Sequence, residues 1–157
     1  IDRFVLATGY LAEQIEGHFG SGSGRGWEVK YSAGPAEWET GRRFHEVVEM
    51  LDERFFLVYS DNFALFDLEE QCRSHLEGGW ALTVTLKEKD GGNVGYSSGT
   101  NIATYDPARE TSGLGHVEIG YAIVERDEAI GILRSVYGQP DVSFSKVLEA
   151  AAKAVNK

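Results

Sequence analysis

Cysteine is almost missing from this 157-residue chain, with Cys72 the single example. One thiol can build neither an internal disulfide framework nor a thiolate zinc site. Positive charge is also short: 15 Lys and Arg against 25 Asp and Glu leave a formal net charge of −10. Such a surface repels a phosphate backbone, which argues against nucleic acid as a partner. No run approaches the roughly 20 apolar residues of a membrane span, and no basic-then-apolar leader opens the sequence. The expectation is a soluble, cytoplasmic protein. No period of about 20–50 residues repeats, so a solenoid is excluded. The four histidines, His18, His45, His75 and His116, show no metal-ligand spacing. The first three sit in helical patterns and read as surface or half-buried residues. Gly22–Gly26 carries glycines without the Lys-[Ser/Thr] of a phosphate-binding loop, and it opens a strand rather than a helix.

What is present suits one globular domain: 42% hydrophobic and 25% charged residues. Phe4–Ala7 is an apolar run that suits a buried strand, and Gly9 ends it. Leu11, Ile15 and Phe19 make one stripe of a short helix stopped by Gly20. Trp27, Val29 and Tyr31 alternate with Glu28 and Lys30, as in a strand with one polar face. From Thr40 a helix carries Phe44, Val47, Val48 and Leu51 on one side. Phe55–Tyr59 follows as a continuous aromatic and aliphatic strand. A third helix, capped at Asp67, places Leu68, Cys72, His75 and Leu76 on one face, with Cys72 expected in the core. Ala81–Leu86 is another strand. Beyond a glycine-rich stretch at 90–99, strand-like pieces near Thr100–Tyr105 and Val117–Val124 precede two amphipathic helices. Strand and helix alternate over the first 86 residues, which predicts parallel strands joined by right-handed crossovers. The expected architecture is α/β and three-layered, with later antiparallel additions. The first residues read as core and the last as helix, so the expectation is a single domain, 1–157, truncated at both ends as a natural fragment or a trimmed chain.

In open α/β sheets ligands bind beyond the carboxyl ends of the strands. Three such junctions carry candidate chemistry. In Tyr59-Ser60-Asp61-Asn62 a carboxylate projects from a buried strand end, placed either to hold Mg²⁺ with substrate phosphates or to cap a turn. In Trp38–Arg43 a helix begins, with Gly41 allowing close approach and two arginines able to pair with phosphate; the other reading is a Thr40 cap and a solvated arginine pair. In Gly91–Tyr96 the glycines admit a sugar or base to the main chain, or simply make a hairpin loop.

Taken in order, these segments resemble the sugar-1-phosphate nucleotidyltransferases. Phe4–Gly20 is similar to that family's strand–Gly-Tyr–helix ending in Phe-Gly. Glu39–Arg43 stands in the place of its Thr-Gly helix start, and Phe56–Asn62 in that of its strand ending in Gly-Asp. Asn93–Tyr96 and Val117–Val124 resemble its Tyr-Gly-Val and Asn-Ala-Gly-Ile-Tyr strands. The resemblance implies a Rossmann-like three-layer sandwich with a mostly parallel mixed sheet and helices on both faces. It also implies transfer of a nucleoside monophosphate from a nucleoside triphosphate to a sugar 1-phosphate, with Mg²⁺ as cofactor and pyrophosphate as leaving group. By the same resemblance Asp61 is catalytic and holds Mg²⁺, Thr40 and Gly41 lie near the nucleobase, and Gly95, Glu118 and Gly120 line the sugar pocket. A homo-oligomer is compatible with it.

The sequence departs from the family pattern in several places. The N-terminal strand with its Gly-x-Gly-Thr-Arg-Leu loop is not found and is expected ahead of Ile1, so the chain alone is expected to be inactive. Glu-Lys-Pro is not recognisable, Ser60 stands where glycine is usual, and a late Asp-Ile-Gly-Thr segment is expected beyond Lys157. Two other readings stand beside it: a non-catalytic subunit that binds a nucleotide sugar, and a glycosyltransferase of the A type. The second is disfavoured because Asp61-Asn62-Phe63 lacks the Asp-x-Asp pattern.

Overall fold

A computed structural model describes residues 1–96, 101–136 and 142–155. Seven strands and five α-helices follow in the order β1 (Arg3–Thr8), α1 (Ala12–Phe19), β2 (Glu28–Ala33), α2 (Thr40–Val47), β3 (Arg54–Val58), α3 (Leu68–Gly78), β4 (Leu82–Glu88), β5 (Val94–Tyr96), β6 (Ile102–Tyr105), β7 (His116–Glu125), α4 (Arg126–Val136) and α5 (Phe144–Val155). Within the Gly20–Gly26 stretch, Ser23–Arg25 form a 3₁₀ turn.

Sheet direction is where the sequence reading needs correction. β1 and β2 pair in parallel, residue for residue from Arg3↔Glu28 to Thr8↔Ala33. Every pairing in the second, five-stranded sheet is antiparallel, so the sheet is not mostly parallel. The long β7 is the cause. It runs between β3 and β4 and pairs with both, Leu57↔Ala122 on one edge and Val84↔Ala122 on the other. Since β3 and β4 both oppose β7, they share one direction. That shared direction agrees with the parallel strands expected over the first 86 residues, but β7 lies between the two.

Side-chain alternation on β4 separates the layers. Leu82, Val84 and Leu86 pack on the core formed with Phe44, Val47, Leu133, Phe144, Val147 and Leu148 of α2, α4 and α5. Thr83 and Thr85 point the other way, where their hydroxyls meet His75 and Gln71 of α3. The sheet is therefore covered on both faces, which makes three layers. Phe55 on the α2 side and Phe56 on the other repeat the pattern on β3, Phe55 against Phe44 and Phe56 against Phe66 and Tyr121.

Helix α3 is turned from its expected face. Cys72 is exposed, as is Leu76, whereas His75 is buried to 1% exposure. The imidazole replaces an apolar contact with two polar ones: Nδ1 lies 2.7 Å from Thr83 Oγ1 and Nε2 lies 3.0 Å from Glu125 Oε1. A buried polar ring is tolerable only when both nitrogens are satisfied, as here. Glu125 also accepts from Arg54 on β3. Burial would raise its carboxyl, but the His75 and Arg54 contacts outweigh that and hold it below the usual value.

Candidate functional site

The expected Asp61 lies in the turn that leaves β3. Tyr59 N donates to Gly120 O at 2.8 Å, extending the β3–β7 ladder by one rung, and Asn62 N closes a turn on Tyr59 O. Tyr121 then clamps the turn: its hydroxyl donates to Asn62 O at 2.7 Å and accepts from Ala64 N at 3.2 Å. Asp61 stands exposed at the tip.

Gly120 makes this seating possible. Its φ is +80°, and a Cβ added there would lie 2.8 Å from Tyr59 Cβ and 2.9 Å from Asn62 Nδ2. Neither the conformation nor the space admits another side chain. Two residues earlier, the half-buried Glu118 accepts from Gly120 N. Burial raises its carboxyl above the ordinary value, and that hydrogen bond only partly offsets the shift. Burial, followed by the negative field of Glu118, Tyr105 and Asp61, pushes the Tyr59 phenol well above its usual value. Tyr105 is raised by burial too, against a hydrogen bond with Ser145. Asp61, Glu118, Gly120, Tyr59 and Tyr105 thus form one neighbourhood.

Asn93, just before β5, joins it. Its Oδ1 accepts from Glu118 N at 3.3 Å, its own N donates to His116 O, and its O accepts from Asp106 N. The sequence reading gave Asn93 no role of its own, placing it only within the Gly91–Tyr96 and Asn93–Tyr96 segments. Gly95 sits two residues on, and an added Cβ there would meet Leu114 Cδ2 at 2.9 Å. The neighbouring segment 97–100 lies outside the described residues.

Thr40 and Gly41 have a different environment. Thr40 is the first residue of α2 rather than its cap, Glu39 being the capping position. Its Oγ1 accepts from Phe144 N at 2.9 Å, and so serves the start of α5. An added Cβ at Gly41 would meet Val142 O at 2.5 Å, so the close approach glycine permits is made by another piece of main chain. The Phe144 ring stands edge-on to both Phe44 and Tyr59. Through it the start of α2 touches the Tyr59 side of the Asp61 turn. The arginines are engaged as well. Arg42 stacks over Trp38 at 4.3 Å, and Arg43 donates to Thr8 O, Pro35 O and Ala36 O, tying together the loops after β1 and β2.

Among the described residues no group of three or more His, Cys, Asp or Glu side chains could hold a metal ion. Mg²⁺ bound with a nucleotide needs only one or two carboxylates, the other positions going to phosphate oxygens and water. An exposed Asp61 at a rigid strand end fits that role and does not fit a resident, protein-caged metal. Nor is any helix among the described residues long and apolar enough to cross a membrane.

Comparison of the whole fold with solved structures is informative. HddC from Yersinia pseudotuberculosis superposes with a TM-score of 0.70 at 16% identity, over 92% of this chain and 63% of that one. A Bacillus anthracis protein designated a glucose-1-phosphate thymidylyltransferase, in complex with a sucrose, gives 0.72 at 11% identity, over 91% and 60%. A UDP-glucose pyrophosphorylase complexed with UDP-glucose gives 0.61 at 13%, over 98% and 70%. The chain has the fold of the sugar-1-phosphate nucleotidyltransferases. It spans less than two thirds of the length of the first two structures. No protein-family model matches it, and no curated protein does.

Proposed function

We propose that these residues form part of an enzyme that joins a nucleoside monophosphate to a sugar 1-phosphate. The observation that carries the reading is the rigid presentation of Asp61 beside Gly120 and Glu118 in a chain with this fold. An oxygen of the sugar phosphate attacks the α-phosphorus of the triphosphate, a new P–O bond forms, and the bond to the bridging oxygen breaks as pyrophosphate departs with the electron pair. Phosphoryl chemistry of this kind is governed by positioning and by neutralisation of charge. Asp61, together with the nucleotide's phosphates, would hold Mg²⁺, which would supply that neutralisation when bound. Glu118, its carboxyl raised by burial, and the main chain at Gly120 face the sugar, while Gly95 borders the same side. Thr40 and Gly41 act on the nucleobase indirectly, by fixing the start of α5 against α2.

The chain by itself is inactive in this reading. Arg42 and Arg43, which could have paired with phosphate or stood in solvent, are held by Trp38 and by carbonyl oxygens. The same engagement favours a second reading, a non-catalytic subunit that binds a nucleotide sugar. Pyrophosphate release from each of the common nucleoside triphosphates, with glucose 1-phosphate and Mg²⁺, is measured for the chain and for a form extended at its N-terminus. Activity only in the extended form, lost in Asp61→Asn, is the expected result. Full activity in the short chain overturns the inactivity, and activity that survives Asp61→Asn overturns the metal role. A thermal shift with UDP-glucose but not with triphosphate and Mg²⁺ selects the second reading.

A further inference from the structure

Arg109 adopts a backbone conformation that is costly for an arginine. Its φ is +58°, in the left-handed region that glycine enters freely and a residue with a side chain does not. Among the described residues Leu11 alone shares this region outside the glycines. The turn around Arg109 is built on Asp106. Asp106 Oδ1 accepts from Ala108 N at 3.0 Å, its Oδ2 from Thr111 N at 2.7 Å, and its main-chain O from Arg109 N at 3.1 Å. Asp106 N in turn donates to Asn93 O at 2.8 Å, and Asn93 Oδ1 accepts from Glu118 N at 3.3 Å. One asparagine therefore ties the Arg109 turn to the strand that carries Glu118.

The Arg109 side chain is exposed and has no ion pair or side-chain hydrogen bond among the described residues. Asp106, its near neighbour, gives both carboxylate oxygens to main-chain amides. Other cations are committed: Lys146 to Glu149, Arg43 to three carbonyls, Arg42 to the Trp38 ring. A glycine would make this turn at lower cost, so a side chain kept there against the strain marks a use for its charge. That charge reaches the Tyr105 phenol, where it opposes the rise caused by burial, and Tyr105 shares the neighbourhood of Tyr59 and Glu118. On a chain of net charge −10 an anion is held only where a local cation outweighs the surrounding field. We infer that Arg109 binds an oxyanion of the substrate, a phosphate or a carboxylate, on the Glu118 side of the site. A guanidinium presents two parallel N–H donors to either group. The inference rests on the reading of the Asp61 neighbourhood given above, and it restricts the substrates to sugars that carry such a group within reach of this turn.

Thermal shift tests it on the parent chain, Arg109→Gly and Arg109→Lys. The probes are glucose 1-phosphate and glucuronate, read against glucose and against sodium chloride at equal ionic strength. Neither nucleotide nor Mg²⁺ is present. Oxyanion binding can therefore fail where pyrophosphate release is found, and hold where it is not, which keeps the two readings separate. The glycine variant relieves the backbone, so its Tm without ligand is expected to match or exceed that of the parent. Its affinity for the oxyanion, from the concentration dependence of the shift, is expected to fall about tenfold or more. Arg109→Lys keeps the charge and retains part of the affinity. A parent shift with glucose 1-phosphate that Arg109→Gly loses assigns the oxyanion to a phosphate, and one with glucuronate assigns it to a carboxylate; each supports the inference. Equal shifts in the parent and Arg109→Gly overturn it, as does a folded parent that neither anion shifts. A Tm for Arg109→Gly clearly below that of the parent also overturns it, because the arginine then serves the fold.

Discussion

Gly120 offers the sharpest test of how the Asp61 turn is held. Replacing it with alanine places a Cβ at φ +80°, 2.8 Å from Tyr59 Cβ and 2.9 Å from Asn62 Nδ2. The conformation alone costs on the order of 1–3 kcal/mol for a residue with a side chain. Overpacking adds about 1–3 kcal/mol more, and the Tyr59 Cβ, fixed by its strand, cannot swing aside. Because the exposed part of the turn can relax, a net loss of about 2–4 kcal/mol is expected. That is a large share of the roughly 5–15 kcal/mol that stabilises an ordinary domain. For a chain of this length it lowers Tm by about 5–15 °C. Urea denaturation gives the free energy, and hydrogen exchange at Asn62 and Ala64 shows whether the turn has lifted off β7. Adding Asn62→Ala to Gly120→Ala is expected to recover part of the loss, since one of the two close contacts disappears. A loss below about 0.5 kcal/mol, with the turn still protected, would show that the glycine is not what seats Asp61.

Further outcomes are expected elsewhere. Gly131→Ala, in α4 with open space around its Cβ, is expected to stabilise by about 0.5–1 kcal/mol, read from the urea midpoint. His75→Ala strips Thr83 and Glu125 of a partner and leaves a void, for an expected loss of about 2–4 kcal/mol on the same measurement. Glu118 has a raised carboxyl pKa in the folded protein, so its favourable contribution is present below the unfolded value and is lost as pH rises through the folded one. Glu118→Gln should therefore gain stability relative to the parent chain as pH is taken from about 4 to 7; a constant difference across that range contradicts the burial of the charge. Arg43→Met removes the donor to three carbonyls and is expected to cost about 1.5–3 kcal/mol, with exchange rising first at residues near Gly34.

The elements that could be read from the sequence were those with a continuous or periodic apolar signal. Phe55–Tyr59 and Ala81–Leu86 fall within a residue or two of β3 and β4, whereas the stripe from Phe44 to Leu51 outruns α2, which ends at Val47 and passes into a 3₁₀ turn at Val48–Met50. Pairing could not be read, because periodicity states which face a strand buries but not which strand lies beside it. That is how β7, late in the chain, escaped notice as the strand between β3 and β4. α3 was misjudged for a related reason: an apolar ranking places Cys72 inwards and cannot foresee that Thr83 and Glu125 provide partners for a buried His75. At the candidate site the Asp61 junction was legible from its position after an apolar strand. The roles of Thr40 and Gly41 were not, since the groups they serve, Phe144 N and the main chain of Val142, lie about a hundred residues away. Asn93 likewise acts on Glu118 through a contact that no local pattern encodes.

Cys72 stands on the outer side of α3, three residues from His75. Being the single thiol, it accepts a maleimide dye or a nitroxide at one defined point without any engineering. Oxidised stocks will contain covalent pairs linked through this helix. A doubled band on a gel run without reductant therefore reports storage history rather than native assembly.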